Sequence, residues 1–298
     1  AAKLDYLRIY SFRSKNNIRS KFMNNLSREE QIALIYDKWQ KMTITSDPMF
    51  GLVMQNKKIC LELINRALPN IKAKQIIQLD TQKDINIVSA HRVRFDVYVR
   101  DDKNNIIVIE MQVNNQNNIP ARLRYYQEQV DHELLRPGDN YSVLNNYPTY
   151  IIMFCNFDYF KQGWARYEFN LTCTRDHNLK FGDNRTVVIF NALAKKFDKN
   201  DEPIKNFLAL MCNQGDNKNR FIAQIQDEID KVKQDPERRN GFMKYELNLM
   251  DAKMEVREED IKKLIDSLYE LNIKPEIIKQ KVMEKYNLTD DEYDKFLE

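Results

Sequence analysis

The chain has 298 residues, of which 43% are hydrophobic and 31% charged, enough apolar material for one large domain or a domain with a smaller appendage. It contains no apolar run of the roughly 18 residues that a membrane-spanning helix needs, and its six glycines and eight prolines argue against long flexible linkers. The net charge of +3 is unevenly spread: residues 1–28 hold seven Lys/Arg against one acid, whereas residues 251–298 hold nine basic and fourteen acidic side chains. A basic arm of this kind suits contact with phosphates, or forms a solvated polar surface.

Four scattered cysteines (Cys60, Cys155, Cys173, Cys212) include no CxxC, and the three histidines include no HExxH. A cysteine metal site and a zinc hydrolase are therefore not expected. The opening stretch AAKLDYLRIYSFRSK has no apolar core of the signal-peptide kind. Three of the cysteines sit in apolar runs, as buried free thiols do, so a reduced, cytoplasmic setting is expected.

In chain order, SREE makes a capping box of Ser27 and Glu30, opening a helix that carries Ile32, Leu34, Ile35, Tyr36 and Trp39. Ser46-Asp47-Pro48 is a second helix start, with proline in the first turn. NKKICLELINRAL (56–68) reads as a helix that stops at Pro69, and AKQIIQLD (73–80) as a strand. A hairpin over 92–113 follows, then a helix over 119–135 that ends at Pro137-Gly138. PTYIIMFCNF (148–157) is a continuous apolar run, the pattern of a central buried strand. Further strands are expected at 167–174 and 185–192, and helices at roughly 203–213, 218–233, 255–272, 275–286 and 289–297. This order predicts a mixed α/β domain with an antiparallel hairpin in its sheet. The divisions expected are a basic arm and helix over 1–45, a central domain over 46–195 and a helical region over 196–298.

The hairpin VRFDVYVRDDKNNIIVIEMQV (93–113) carries one acid in each strand, and acids are poor strand formers. Side chains alternate across a strand, so Arg94, Asp96, Tyr98 and Arg100 share one face, and Ile106, Val108, Glu110 and Gln112 share one on the next strand. With DDKNN as the turn, the simplest register pairs Arg100 with Ile106. Counting outward sets Asp96 opposite Glu110, where facing Cβ atoms lie about 4.5–5.5 Å apart and like charges destabilise the sheet. A divalent cation held by both carboxylates would offset the repulsion. Arg94 and Arg100 on an exposed face would offset it too.

The spacing of Asp96 and Glu110-Met111-Gln112 resembles the D…ExK signature of PD-(D/E)xK nucleases, with Gln112 at the lysine position. The surrounding words are similar to one branch, the recombination-promoting nuclease or transposase family. They are SDPMFGLVMQNKKICLELI (46–64), VRFDVYVRD (93–101), IEMQ (109–112), RLRYYQEQVDHELLRPGDNY (122–141), IIMFCNFDYFKQG (151–163) and YEFNLTC (167–173). The resemblance implies a restriction-endonuclease-like αβββαβ core with a mixed sheet, followed by a C-terminal helical region. It also implies a Mg²⁺-dependent DNA endonuclease, or one using another divalent cation such as Mn²⁺, connected with recombination or mobile elements. Asp96 and Glu110 would be the metal ligands and catalytic acids, and Gln112 would position water or a phosphate oxygen without bringing positive charge.

Glu62, on the first helix of the resembling segment, would complete the site, or else is a solvent-facing residue of an amphipathic helix. Arg124, Gln127 or Glu128, and Asp131 share one helix face. Arg124 and Gln127 would bind substrate phosphate or hold the acids, and a surface salt-bridge row is the other reading. His91 is assigned no role. The missing lysine keeps a second function open, a weak or inactive nuclease fold that binds DNA or a partner. A homodimer through the C-terminal helices would suit double-strand cutting, and no membrane association is expected.

Overall fold

The computed structural model describes residues 27–85 and 93–297. Most of the basic arm and His91 therefore lie outside the described residues. The chain divides into two compact units: residues 42–235, and a second formed by the described residues up to Lys41 together with those from Pro236 onward.

The second unit is helical. Helix α1 (Arg28–Gln40) opens on the predicted capping box, with Ser27 and Glu30 each bonding the other's backbone. It buries Ile35 and Trp39, whereas Ile32, Leu34 and Tyr36 are exposed. The indole of Trp39 packs 5.2 Å from the ring of Phe242.

Phe242 lies on a helix of 35 residues, Pro236–Glu270, which begins well before the expected 255. Gly241 and the mixed run NGFMKYELNLMDAK interrupt the apolar period there, so the pattern gave no signal for its first half. This helix packs with Pro275–Tyr286 and Asp290–Asp294 around Ile261, Ile265, Ile278, Val282 and Tyr293.

The larger unit has helices α2 (Asp47–Met54) and α3 (Lys57–Ala67), then strands β1 (Ile76–Ile85), β2 (Val93–Asp101) and β3 (Ile106–Gln112). Helix α4 (Ile119–Leu134) crosses to β4 (Thr149–Cys155), and β5 (Arg166–Phe169) and β6 (Arg185–Asn191) follow. Helices α5 (Glu202–Met211) and α6 (Arg220–Gln234) close the unit. The six strands form one sheet in the order β1-β2-β3-β4-β6-β5. β1, β2 and β3 pair antiparallel, β4 is parallel to both β3 and β6, and β5 pairs antiparallel with β6. A parallel β3–β4 pair requires a crossover, which α4 supplies.

β4 is the buried central strand its apolar run predicts, with Ile151, Ile152, Met153, Phe154 and Cys155 all fully inaccessible. β5 stops at Phe169 rather than continuing to 174, and beyond it only an isolated Thr172–Lys180 bridge forms. All four cysteines are free thiols.

Local chemistry sets the hairpin register. Asp101, fully buried, accepts hydrogen bonds from the backbone N–H groups of Lys103 and Asn105 (2.9 Å each) and from the Asn105 side chain (2.7 Å). Asn104 takes the left-handed conformation, φ 61°, that Asn tolerates better than most residues. The turn so fixed pairs Arg100 with Ile106 and Val97 with Ile109, the expected register.

Candidate active site

Main-chain pairing of β2 with β3 ends at Val97–Ile109, and Asp96 and Glu110 are the next positions out. Each carboxylate there replaces a carbonyl acceptor. Asp96 N–H donates to Glu110 Oε1, and Met111 N–H donates to Asp96 Oδ2, both at 3.0 Å. The two acids thus cross-link the strand ends.

Val108 and Ile106 on the same face of β3 are buried with Ile119, Leu123, Tyr126 and Val130 of α4. Glu110 is fully inaccessible. Burial pushes its carboxyl up to about 8, and the neighbouring Asp96 adds to the rise. Asp96 is pushed up to about 6, again chiefly by burial, with the Met111 N–H opposing.

The cation at this pair is Arg122, from the first turns of α4. Its Nη2 donates to Glu110 Oε2 at 2.8 Å, its Nη1 to Gln112 Oε1 at 2.5 Å, and its Nε to the Tyr126 hydroxyl at 2.7 Å. The planar fork therefore fixes both side chains of the E-x-Q motif at once. The amide nitrogen of Gln112 is occupied as well, donating to Asn114 O at 2.6 Å. Arg94 lies 3.9 Å from Asp47 Oδ2 and is half exposed, so it serves the rim of the site.

Asp47, in the first turn of α2, is the acid from the helical layer that reaches this region, and its charge raises Asp96 further. It also accepts a long 3.4 Å bond from Gln82. Glu62 lies elsewhere on the helical layer. It holds Arg66 one turn along α3 at 2.8 Å, while Arg66 also donates to Pro203 O and stacks 4.6 Å over Phe221. Among the described residues Glu62 makes no hydrogen bond or ion pair with Asp96 or Glu110.

Arg124 and Gln127 are on the other flank of α4. Arg124 is exposed and Gln127 buried, and neither bonds the acids among the described residues. Asp131 pairs with Arg185 of β6 rather than along its own helix.

The converging donors are oxygens of two carboxylates and an amide, the hard set a small divalent cation prefers. Asp96 Oδ1 carries no hydrogen bond among the described residues, and none of those residues group three or more His, Cys, Asp or Glu side chains as a metal cage. A small divalent cation commonly takes one or two carboxylates and completes its shell with water and substrate phosphate.

A family profile described as PD-(D/E)XK nuclease family transposase matches residues 48–267. The chain belongs to this family. The match extends past the 46–195 span of the resembling words, into the long helix that follows α6. The six-strand mixed sheet with helices on its faces is consistent with the PD-(D/E)XK nuclease fold. No curated protein and no solved structure matches the chain. No helix among the described residues is long and apolar enough to cross a membrane.

Two residues of the site escaped the sequence reading. Asp47 was visible only as a helix-start residue beside Pro48. Arg122 shares its helical face with Tyr126, one turn on, and that i, i+4 pair is the signal for it.

Proposed function

We propose that this PD-(D/E)XK family member is a divalent-metal-dependent endonuclease that hydrolyses DNA phosphodiester bonds in the service of mobile elements or recombination. The observation that carries the reading is the opposed pair Asp96 and Glu110 at the end of the β2–β3 ladder, with Arg122 joining Glu110 to Gln112.

Asp96 and Glu110 would hold Mg²⁺ or Mn²⁺. The bound cation supplies Lewis-acid stabilisation of phosphate charge and lowers the pKa of the attacking water. Asp96 offers Oδ1 while Oδ2 keeps the Met111 N–H, so the strand ends stay cross-linked during binding. Gln112 brings no charge, but Arg122 against its amide oxygen supplies one beside Glu110. The guanidinium thereby takes over the electrostatic part of the absent lysine and stabilises charge developing on the phosphate. Asp47 adds negative charge at the rim of the site. A homodimer joined through the C-terminal helices would bring two such sites to a duplex.

The test is incubation of supercoiled plasmid, and separately RNA, with the protein in Mg²⁺, Mn²⁺ or EDTA, beside Asp96→Ala and Glu110→Ala. Metal-dependent nicking of the plasmid, lost in both variants, is the expected result. Cleavage that persists in both would overturn the site. Binding without cleavage in either metal would favour a nuclease fold that binds DNA without cutting it, a reading that Gln112 supports. Light scattering would report the dimer as twice the chain mass.

A further inference from the structure

On the flank of α4 away from Arg122, a cavity of about 490 Å³ opens between that helix and the β5–β6 edge. Its volume is within the range of ligand pockets, roughly 300–1,000 Å³. Most of the lining is apolar, and Phe160 and Phe169 stand together on its wall, with ring centroids 5.2 Å apart. Arg124 and Arg185 are the cations that line it.

Gln127 also lines the cavity, is 5% exposed, and has neither Oε1 nor Nε2 in a hydrogen bond among the described residues. A buried amide left unpaired at both ends is costly, so an unsatisfied one calls for a reason. Solvent reaches neither atom, so the amide meets a ligand in the cavity only if its side chain turns toward it.

We infer that this cavity is a nucleobase pocket, in which Gln127 reads the base edge, Phe160 and Phe169 offer stacking faces, and Arg124 meets the attached phosphate. The inference rests on the proposed nuclease reading for its DNA source and deepens it. An amide presents one donor and one acceptor side by side. The Watson–Crick edge of each base offers the complementary pair, as does the N6/N7 edge of adenine, to which Gln pairs bidentately. A purely apolar ligand would leave the amide unpaired. An anion alone would have no use for the aromatic wall. Arg185 is already held by Asp131, whereas Arg124 is exposed and has no ion pair among the described residues.

Arg122 and Gln127 are five residues apart, about 140° around the helix, so the pocket and the acid pair flank α4 across a helix width of about 10–12 Å. A strand with a phosphate at the acids would lay a nearby base over this helix, unpaired or extruded from its duplex. Leu171, on the same wall as Phe169, is exposed and apolar, as expected for a residue that borders an unstacked base.

The test measures binding by the full chain in EDTA, where no cleavage interferes. A labelled single-stranded oligonucleotide is compared with one of equal length whose central sugars are abasic, using wild type, Gln127→Leu and Phe169→Ala. Phe169 is 47% exposed, so its variant keeps the core intact.

The expected result is about tenfold tighter binding of the intact strand, the scale of one base–aromatic contact, with the preference lost in both variants. A parallel arm measures thermal stabilisation by dAMP and dCMP. Stabilisation lost in both variants, with no preference between oligonucleotides, would assign the same pocket to free nucleotides. Equal affinity for intact and abasic strands with no mononucleotide effect would overturn the inference, as would a base preference that survives in both variants. Plasmid nicking without base preference would remove this pocket and leave the nuclease reading standing. Base preference without nicking would do the reverse.

Discussion

The two flanks of α4 treat buried polar groups in opposite ways. Toward β2 and β3, Glu110, Gln112, Arg122 and Tyr126 form one connected network, and both acids bond the main chain of the opposite strand. Toward β5 and β6, Gln127 has neither polar atom paired among the described residues. A satisfied network of charges is rigid and already arranged for chemistry. An unsatisfied amide is arranged for nothing until something enters beside it. On the proposed reading, one helix would serve a reaction on one side and recognition on the other.

Breaking the first flank should give the largest effects. Asp96→Asn or Glu110→Gln should lower plasmid nicking by about a hundredfold to a thousandfold, the scale on which single electrostatic catalytic groups act. Glu110→Gln should not unfold the protein, because it removes a charge from a fully buried site.

Arg122→Met should cost about 3–5 kcal/mol of stability in denaturant titration, since it leaves a buried carboxylate without its cation. That loss should be greatest above pH 8 and smaller at pH 6, where burial lets Glu110 take up a proton.

The same group sets a pH dependence in the intact protein. The Glu110 carboxyl rises from an ordinary 4.5 to about 8 in the fold, and Asp96 from 3.8 to about 6. A folded-state pKa above the unfolded one means that the native state binds more protons between those values. The stability this lends is fully present below the unfolded pKa and is lost as pH rises through the folded one. In EDTA the thermal midpoint should therefore fall between about pH 5 and pH 8. Glu110→Gln should flatten most of that slope, and an unchanged slope in the variant would assign it to other groups.

The second flank should give the smallest effect and the opposite sign. Gln127→Leu should raise stability by about 1 kcal/mol, because it removes an unpaired buried amide at nearly constant volume. A drop in stability would mean that the amide is satisfied in solution, and the contrast between the flanks would fail.

The hairpin was legible in the sequence because its information is local. Alternation, the DDKNN turn and the two misplaced acids sufficed to predict the Arg100–Ile106 register that the structure has. The central strand β4 was equally plain from its apolar run. Arg122 was not, since the helix 119–135 carries two arginines and only the packing of α4 on the sheet decides which one meets Glu110. Arg124 and Gln127 drew attention by sharing a face, and that face is the one turned toward β5 and β6. The contribution of α2 was obscured for a similar reason: Asp47 before proline has a sufficient local explanation as a helix start. The long helix from Pro236 shows the remaining limit, because a helix whose apolar period is broken by Gly241 leaves little pattern to read.

Asp96 and Glu110 are proposed to form one divalent-cation site. Calorimetric titration of Mn²⁺ into the wild-type chain, Asp96→Asn and Glu110→Gln, at a pH above 8 so that both acids are ionised, tests it most directly. The wild type should show a saturable binding event that disappears in each variant. Binding of equal affinity in all three proteins would contradict it.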